Sequence, residues 1–174
     1  MITIRPAELA DAPALREIYD YYVTNTAVSF EYETPSAAEF AARMEKIKQR
    51  YPYLLAEEDG RVLGYAYAGV FKDREAYSRS CEMTVYLDPA LRRQGIGRKL
   101  YEALEEELKK QGMRNLYACI ARPRQADDEY LTRDSELFHA RLGYVTVGQF
   151  HACGYKFGRW YDMIWMEKIV GEPV

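Results

Sequence analysis

Leucines fall four apart at Leu100, Leu104 and Leu108, the spacing of one helix face, and Gly112 stands where such a helix stops. Upstream, an apolar face at Ala14, Ile18, Tyr21 and Tyr22 predicts a helix to about Asn25, with Asp11 as its N-cap. A second helix opens at Pro35-Ser36 and runs to about Arg50, with Phe40, Met44 and Ile47 on one side. A short third one follows Asp134-Ser135 and ends at Gly143. Strand-type runs occupy residues 2–5, 53–57, 61–68, 83–87, 115–121, 144–151 and 160–169. Asp59-Gly60 between two of them is a hairpin signal. Residues 26–34 form a loop whose Val28 and Phe30 need a place to bury; 72–77 and 122–133 are polar loops, and 153–158 is a turn. The order is β-α-α-β-β-β-α-β-α-β-β. One β-α-β unit lies between hairpins, which gives an α/β (α+β) class: a mixed, mostly antiparallel central sheet with helices on both faces. No repeat or linker interrupts it, so one domain covers 1–174.

Between the strand at 83–87 and the leucine-faced helix comes Arg92-Arg93-Gln94-Gly95-Ile96-Gly97-Arg98. A strand, a glycine turn and a helix start make an anion site, because unpaired N–H groups and the positive helix end point into the turn. The dinucleotide fingerprint would need a third glycine where Leu100 stands, and the Walker loop needs Lys-Ser/Thr after its last glycine. The bland alternative is an ordinary joint with solvated arginines.

The 174 residues carry a formal net charge of −3, so no global basic field recruits nucleic acid. No apolar run is long enough to span a membrane, and Thr3, Arg5 and Glu8 replace the apolar core of a signal segment. A cytoplasmic location is the default expectation. Cys81, Cys119 and Cys153 are widely spaced, which disfavours disulfides or zinc and suggests small buried hydrophobes. With two histidines, His139 and His151, no metal is expected.

Arg92-x-x-Gly95-x-Gly97, after a strand and opening a helix, resembles the pyrophosphate loop of the GNAT acetyltransferases, whose fold has the same element order. Within that superfamily the chain is most similar to the phosphinothricin and methionine-sulfone N-acetyltransferases. The similarity rests on Arg5, Arg50-Tyr51-Pro52, Gly64-Tyr65-Ala66-Tyr67-Ala68-Gly69, Glu82-Met83-Thr84-Val85-Tyr86-Leu87, Phe138-His139-Ala140-Arg141-Leu142-Gly143-Tyr144 and Gly154-Tyr155-Lys156-x-Gly158-x-Trp160-x-Asp162. The resemblance implies acetyl-CoA as cosubstrate. Its pantetheine arm would lie along the backbone of Val85 and Leu87, with Tyr86 between them. Its pyrophosphate would lie in the loop Arg92, Arg93, Gln94, Gly95, Ile96, Gly97 and Arg98. The same resemblance implies Glu82 and His139 as catalytic residues, Lys72, Arg74 and Tyr77 as the grip on a small acidic amine substrate, and a homodimer. Thr132 replaces an asparagine that the family uses on the cofactor arm.

Amide formation needs a deprotonated amine, a stabilised oxyanion and a protonated leaving thiolate. Glu82 is the candidate base, provided burial raises its pKa. The backbone at Tyr86-Leu87 is the candidate oxyanion donor, and His139 the candidate proton donor. Each has a structural alternative: a solvated strand-end carboxylate, a core histidine, and, for Lys72, Arg74 and Tyr77, a solvated loop. The resulting expectation is acetyl transfer to the α-amine of a molecule of the phosphinothricin or methionine sulfone/sulfoximine type. A peptide or protein amine acetyltransferase and a non-catalytic CoA-binding sensor remain as rivals.

Overall fold

The computed structural model describes residues 1–91 and 94–172. Its strands are β1 (Thr3–Pro6), β2 (Tyr53–Glu58), β3 (Arg61–Val70), β4 (Ser80–Leu87), β5 (Asn115–Arg122), β6 (Val145–Lys156) and β7 (Arg159–Ile169). They form one sheet in the order β1-β2-β3-β4-β5-β7-β6. Every neighbouring pair is antiparallel except β4–β5. The helices are α1 (Ala12–Asn25), α2 (Ala37–Lys48), α3 (Ile96–Lys110) and α4 (Asp134–Arg141).

Two cores sandwich the sheet. On one face Leu15, Ile18, Phe40 and Met44 of α1 and α2 pack on Tyr53, Leu55 and Tyr65. On the other, Leu100, Leu104 and Leu108 of α3 are fully buried against Ala66, Met83, Leu116 and Ile164. The four-residue leucine spacing thus faces the sheet along the whole of α3. Gly112, at φ +82°, ends that helix, with the Met113 N–H donating to the Leu108 carbonyl at 3.0 Å.

Asp59 (φ +50°) and Gly60 (φ +78°) form the tight β2–β3 turn that their identities predict. Three local expectations are corrected. Asp11 lies at the start of α1, but its carboxylate accepts from the Glu8 N–H at 2.7 Å and pairs with Arg5, so it does not cap the helix. The turn expected over 153–158 shrinks to Phe157-Gly158, both at positive φ, and β6 runs through to Lys156. A bulge between Phe150 and Gly154 breaks the alternation there, held by Asp162, whose carboxylate accepts from the Ala152 N–H at 2.6 Å. Cys81 is buried, but Cys119 and Cys153 are exposed.

Candidate active site

β4 and β5 run side by side only from Ser80↔Asn115 to Glu82↔Tyr117, and β5 then continues against β7. Beyond Glu82, Met83–Leu87 therefore presents its β5-side edge to a widening gap. The phase of that edge is fixed by the Asp88 N–H, which donates to the Leu63 carbonyl at 2.9 Å on the β3 side. Backbone groups alternate along a strand, so Tyr86 also faces β3, while the N–H and C=O of Val85 and Leu87 face the gap. An extended, amide-bearing ligand can pair with such an edge. This excludes the Tyr86 N–H as an oxyanion donor and leaves Val85 and Leu87. The Tyr86 ring is turned the other way, into the α1–α2 face, against Tyr19, Tyr22 and Tyr65. Tyr22 also reaches the Leu87 carbonyl, donating to it at 2.5 Å.

At the wide end of the gap, α3 begins. Gly95 is left-handed (φ +73°), and a Cβ there would meet open space. Ile96 is buried, and Gln94 and Arg98 are exposed; Arg98 forms an ion pair with Glu102 at 2.8 Å. Gly97 serves packing, since a Cβ would stand 3.0 Å from the Phe138 ring of α4. The N–H groups of the first turn of α3 have no helical partner by construction, so this end is an anion seat. Arg92 and Arg93 lie outside the described residues.

Glu82 sits at the point of divergence, half-buried, on the sheet face away from α3. Burial raises its carboxyl pKa above the usual range, and the Lys72 ammonium partly offsets that. A carboxylate so placed holds a proton more tightly than a solvated one, which is what a base working near neutral pH requires. His139 has different surroundings. It is 3% exposed, with Nδ1 at 2.7 Å from the Ser135 carbonyl and Nε2 at 2.8 Å from the Tyr101 hydroxyl. The carbonyl makes Nδ1 the N–H side, so Nε2 accepts from Tyr101. Burial lowers its pKa to about 4, so it is neutral at pH 7. In this state His139 orients Tyr101 and has no proton to release toward the gap.

The GNAT acetyltransferase domain model matches residues 4–165 of this chain. The chain belongs to the GNAT acetyltransferase family. It is 36% identical over 162 residues to the phosphinothricin N-acetyltransferase of Streptomyces viridochromogenes, covering 93% of this chain and 84% of that protein. It is 34% identical over 172 residues to the L-methionine sulfoximine/L-methionine sulfone acetyltransferase of Salmonella typhimurium, covering 98% and 96%. The crystal structure of a GNAT phosphinothricin acetyltransferase from Sinorhizobium meliloti, in complex with AcCoA, superposes with a TM-score of 0.88 at 35% identity, covering 98% of this chain and 89% of that one.

Around Glu82 this acetyltransferase has a floor and a flanking loop. Tyr117 and Cys119 of β5 and Trp165 of β7 share its sheet face. Phe71, Lys72 and Tyr77 stand on one side, with Phe71 stacked on Tyr117 at 4.2 Å. Lys72, Arg74 and Tyr77 together line, with Arg50, Tyr51 and Ser80, a cavity of about 90 Å³. The 26–34 loop lies on the same side of the sheet, where the Tyr19 hydroxyl bonds to its Ser29 and Glu31 and the Tyr19 ring meets Tyr86 of β4. Lys156 pins this loop, its buried ammonium donating to the Val23 and Ser29 carbonyls at 2.7 and 2.8 Å. The Thr132 hydroxyl accepts from the Asp134 N–H at 3.3 Å, at the start of α4. Tyr22, Tyr101, Phe71, Tyr117 and Trp165 carry no motif that marks them; each enters through a contact between distant segments.

Proposed function

We propose that this acetyltransferase moves the acetyl group of acetyl-CoA to the α-amine of a small amino-acid-like acceptor of the phosphinothricin or methionine sulfone/sulfoximine type. One observation carries the reading: the β4 edge opens immediately beyond Glu82, so a carboxyl of raised pKa lies beside an open backbone edge that leads to the start of α3. Bound acetyl-CoA supplies an activated thioester. The open space at Gly95 and the outward N–H and C=O groups of Val85 fit its phosphate and amide groups, with Gln94, Ile96, Gly97 and Arg98 completing the turn. Arg92 and Arg93 are proposed to add cationic charge there.

Glu82 takes the proton of the acceptor ammonium, directly or through water. The Val85 or Leu87 N–H stabilises negative charge on the carbonyl oxygen, a contribution worth about 3 kcal/mol. A thiol of pKa near 8.5 needs little help to leave; His139 acts by holding Tyr101. Lys72, with Arg74 and Tyr77, meets the acceptor's acidic group, and the Thr132 hydroxyl gives the cofactor arm one hydrogen bond. No metal is needed. We further propose a cytoplasmic homodimer with no nucleic-acid or membrane partner; among the described residues no helix is long and apolar enough to cross a membrane.

The test is thiol release from acetyl-CoA across free amino acids, methionine sulfone, methionine sulfoximine and phosphinothricin, with Glu82→Gln in parallel. Turnover on one of these, reduced about 100-fold or more in the variant, is the expected result. Silence across the panel with acetyl-CoA still bound would remove the acceptor class, and full activity in Glu82→Gln would remove the base.

A further inference from the structure

Three rings from separate segments meet beside Glu82. Phe71, just after β3, stacks on Tyr117 of β5 at 4.2 Å and 18°, and stands edge-on to Trp165 of β7 at 5.4 Å and 90°. Trp165 also meets Tyr117 edge-on, at 6.4 Å. Tyr117 is itself fixed, its hydroxyl donating to Glu167 at 2.8 Å. The Lys72 ammonium lies 5.4 Å from the Phe71 centroid and 5.9 Å from the Trp165 centroid. At these distances a cation is drawn to the negative face of a ring. A lysine on an exposed loop otherwise samples many rotamers, and ordering it costs side-chain entropy. Here two rings offset that cost before any substrate arrives.

We propose that Phe71, Tyr117 and Trp165 form a three-ring seat that holds the Lys72 ammonium over the site floor, and that Trp165 thereby sets the preference for acceptors carrying a carboxylate. The inference rests on the reading that Lys72 meets the acceptor's acidic group. Trp165 is a positioning residue: it acts through Lys72. Two further sites register where the ammonium sits. Its distances to Phe71 and Trp165 put it on the Glu82 side of the loop, and its charge acts on Glu82 of β4 and Cys119 of β5. The other titratable groups that interact electrostatically with Glu82 are Tyr67 on β3 and Cys119 on β5, with Tyr101 on α3 and Cys81 on β4 on the opposite face of the sheet. Desolvation raises the pKa of each, including the thiol of Cys119, which is crowded by neighbours on the sheet face although its surface is exposed, so all are neutral at pH 7, and among the described residues Lys72 is the cation that acts on Glu82.

The experiment uses the full chain with Trp165→Leu, Trp165→Phe and Lys72→Met. In lysine-labelled protein, the Lys72 ε-methylene protons are expected to resonate upfield through ring currents, to lose a large part of that shift in Trp165→Leu, where Phe71 alone remains, and to keep most of it in Trp165→Phe. The kcat/KM ratio between an amino-acid acceptor and its carboxamide is expected to fall roughly three- to tenfold in Trp165→Leu and to recover in Trp165→Phe. The acid limb of kcat/KM moves to higher pH in Lys72→Met, because the lost cation favoured ionised Glu82, and moves less far the same way in Trp165→Leu. A packing role alone would lower stability without moving the ratio or the limb. An unshifted Lys72 methylene, or a ratio unchanged in Trp165→Leu, would overturn the seat. Wild-type inactivity toward every amino acid would instead overturn the acceptor reading and the selectivity claim with it, while the ring-current shift would still decide whether the seat exists.

Discussion

His139 illustrates how much of a residue's role is set by its two ring nitrogens. One faces a backbone carbonyl and the other a tyrosine hydroxyl, so the neutral form donates to the first and accepts from the second, while the charged form would donate to both and turn the Tyr101 hydroxyl into an acceptor. Burial then moves its pKa from 6.5 down to about 4. An unfolded chain takes up this proton as pH falls through about 6.5, while the folded chain refuses it until about 4. Stability is therefore lost on acidification through that window, by about 3 kcal/mol once pH 4 is reached, since each pKa unit is worth about 1.4 kcal/mol. A His139→Gln variant keeps a donor and an acceptor but does not titrate. Urea unfolding at pH 7 and pH 4 should show a smaller acid loss in this variant by up to that amount. The carboxylates whose pKa is depressed, such as Asp11, Glu31 and Asp162, are shared by both proteins and cancel in the difference. Equal acid losses would mean that His139 is already charged in the native state. Glu82 is shifted in the opposite sense for the same reason, burial penalising whichever form carries charge.

At the scale of elements, the 26–34 loop depends on β6. Lys156 ties down its entrance, the Tyr32 hydroxyl donates to the Tyr155 carbonyl, and the Phe30 ring lies on Gly154. A Cβ at Gly154 would stand 2.3 Å from Phe30, closer than real atoms approach. Gly154→Ala is thus expected to expel the ring and cost about 1–3 kcal/mol, the usual size of overpacking. With the loop displaced, acceptor KM rises while acetyl-CoA KM holds. In a Phe30→Ala background the same substitution should cost under about 0.5 kcal/mol, because the clash is gone. Equal costs in both backgrounds would show that the ring does not rest there. The residues explain why some of this was legible in advance and some was not. The leucine face of α3 and the Asp59-Gly60 turn follow from neighbours in sequence, as does the stop at Gly112. The β6 bulge does not, because its anchor is Asp162 on the next strand. Val28 and Phe30, expected to bury, both stay exposed, and Phe30 only rests its ring on Gly154, 124 positions away in a chain whose local pattern says nothing of it. Likeness to a family marked Glu82, His139 and Lys72. What each touches came only from the packing of separate elements.

At the scale of the whole molecule, β6 is the last strand of the sheet and, among the described residues, has no neighbouring strand on its outer side. Edge strands usually carry charge that discourages pairing with another chain. From Val145 to Tyr155 this one has no Asp, Glu, Lys or Arg. Val145, Val147, Phe150 and Tyr155 are each at least half exposed, and Trp160 at the start of β7 adds a fifth large apolar side chain. Such a row is costly to leave in water, at roughly 1.5–3 kcal/mol for each side chain that full burial would cover. A second copy of the chain, bringing the same uncharged edge, would cover it without opposing charges. If the proposed homodimer pairs through β6, sedimentation at micromolar concentration should give about twice the 20.3 kDa of one chain. Val147→Lys with Phe150→Lys places two ammonium groups per chain in that contact without touching the buried core. Losing both apolar contributions is worth roughly 3–6 kcal/mol, which weakens association at least 100-fold and should yield a folded monomer. A wild-type chain that sediments as a monomer, or a double variant that remains dimeric, would place the assembly elsewhere or dispense with it. The pairing surface lies on the far side of β7 from Glu82 and Lys72, so a monomeric variant that keeps its activity would show that one chain supplies the whole acceptor site.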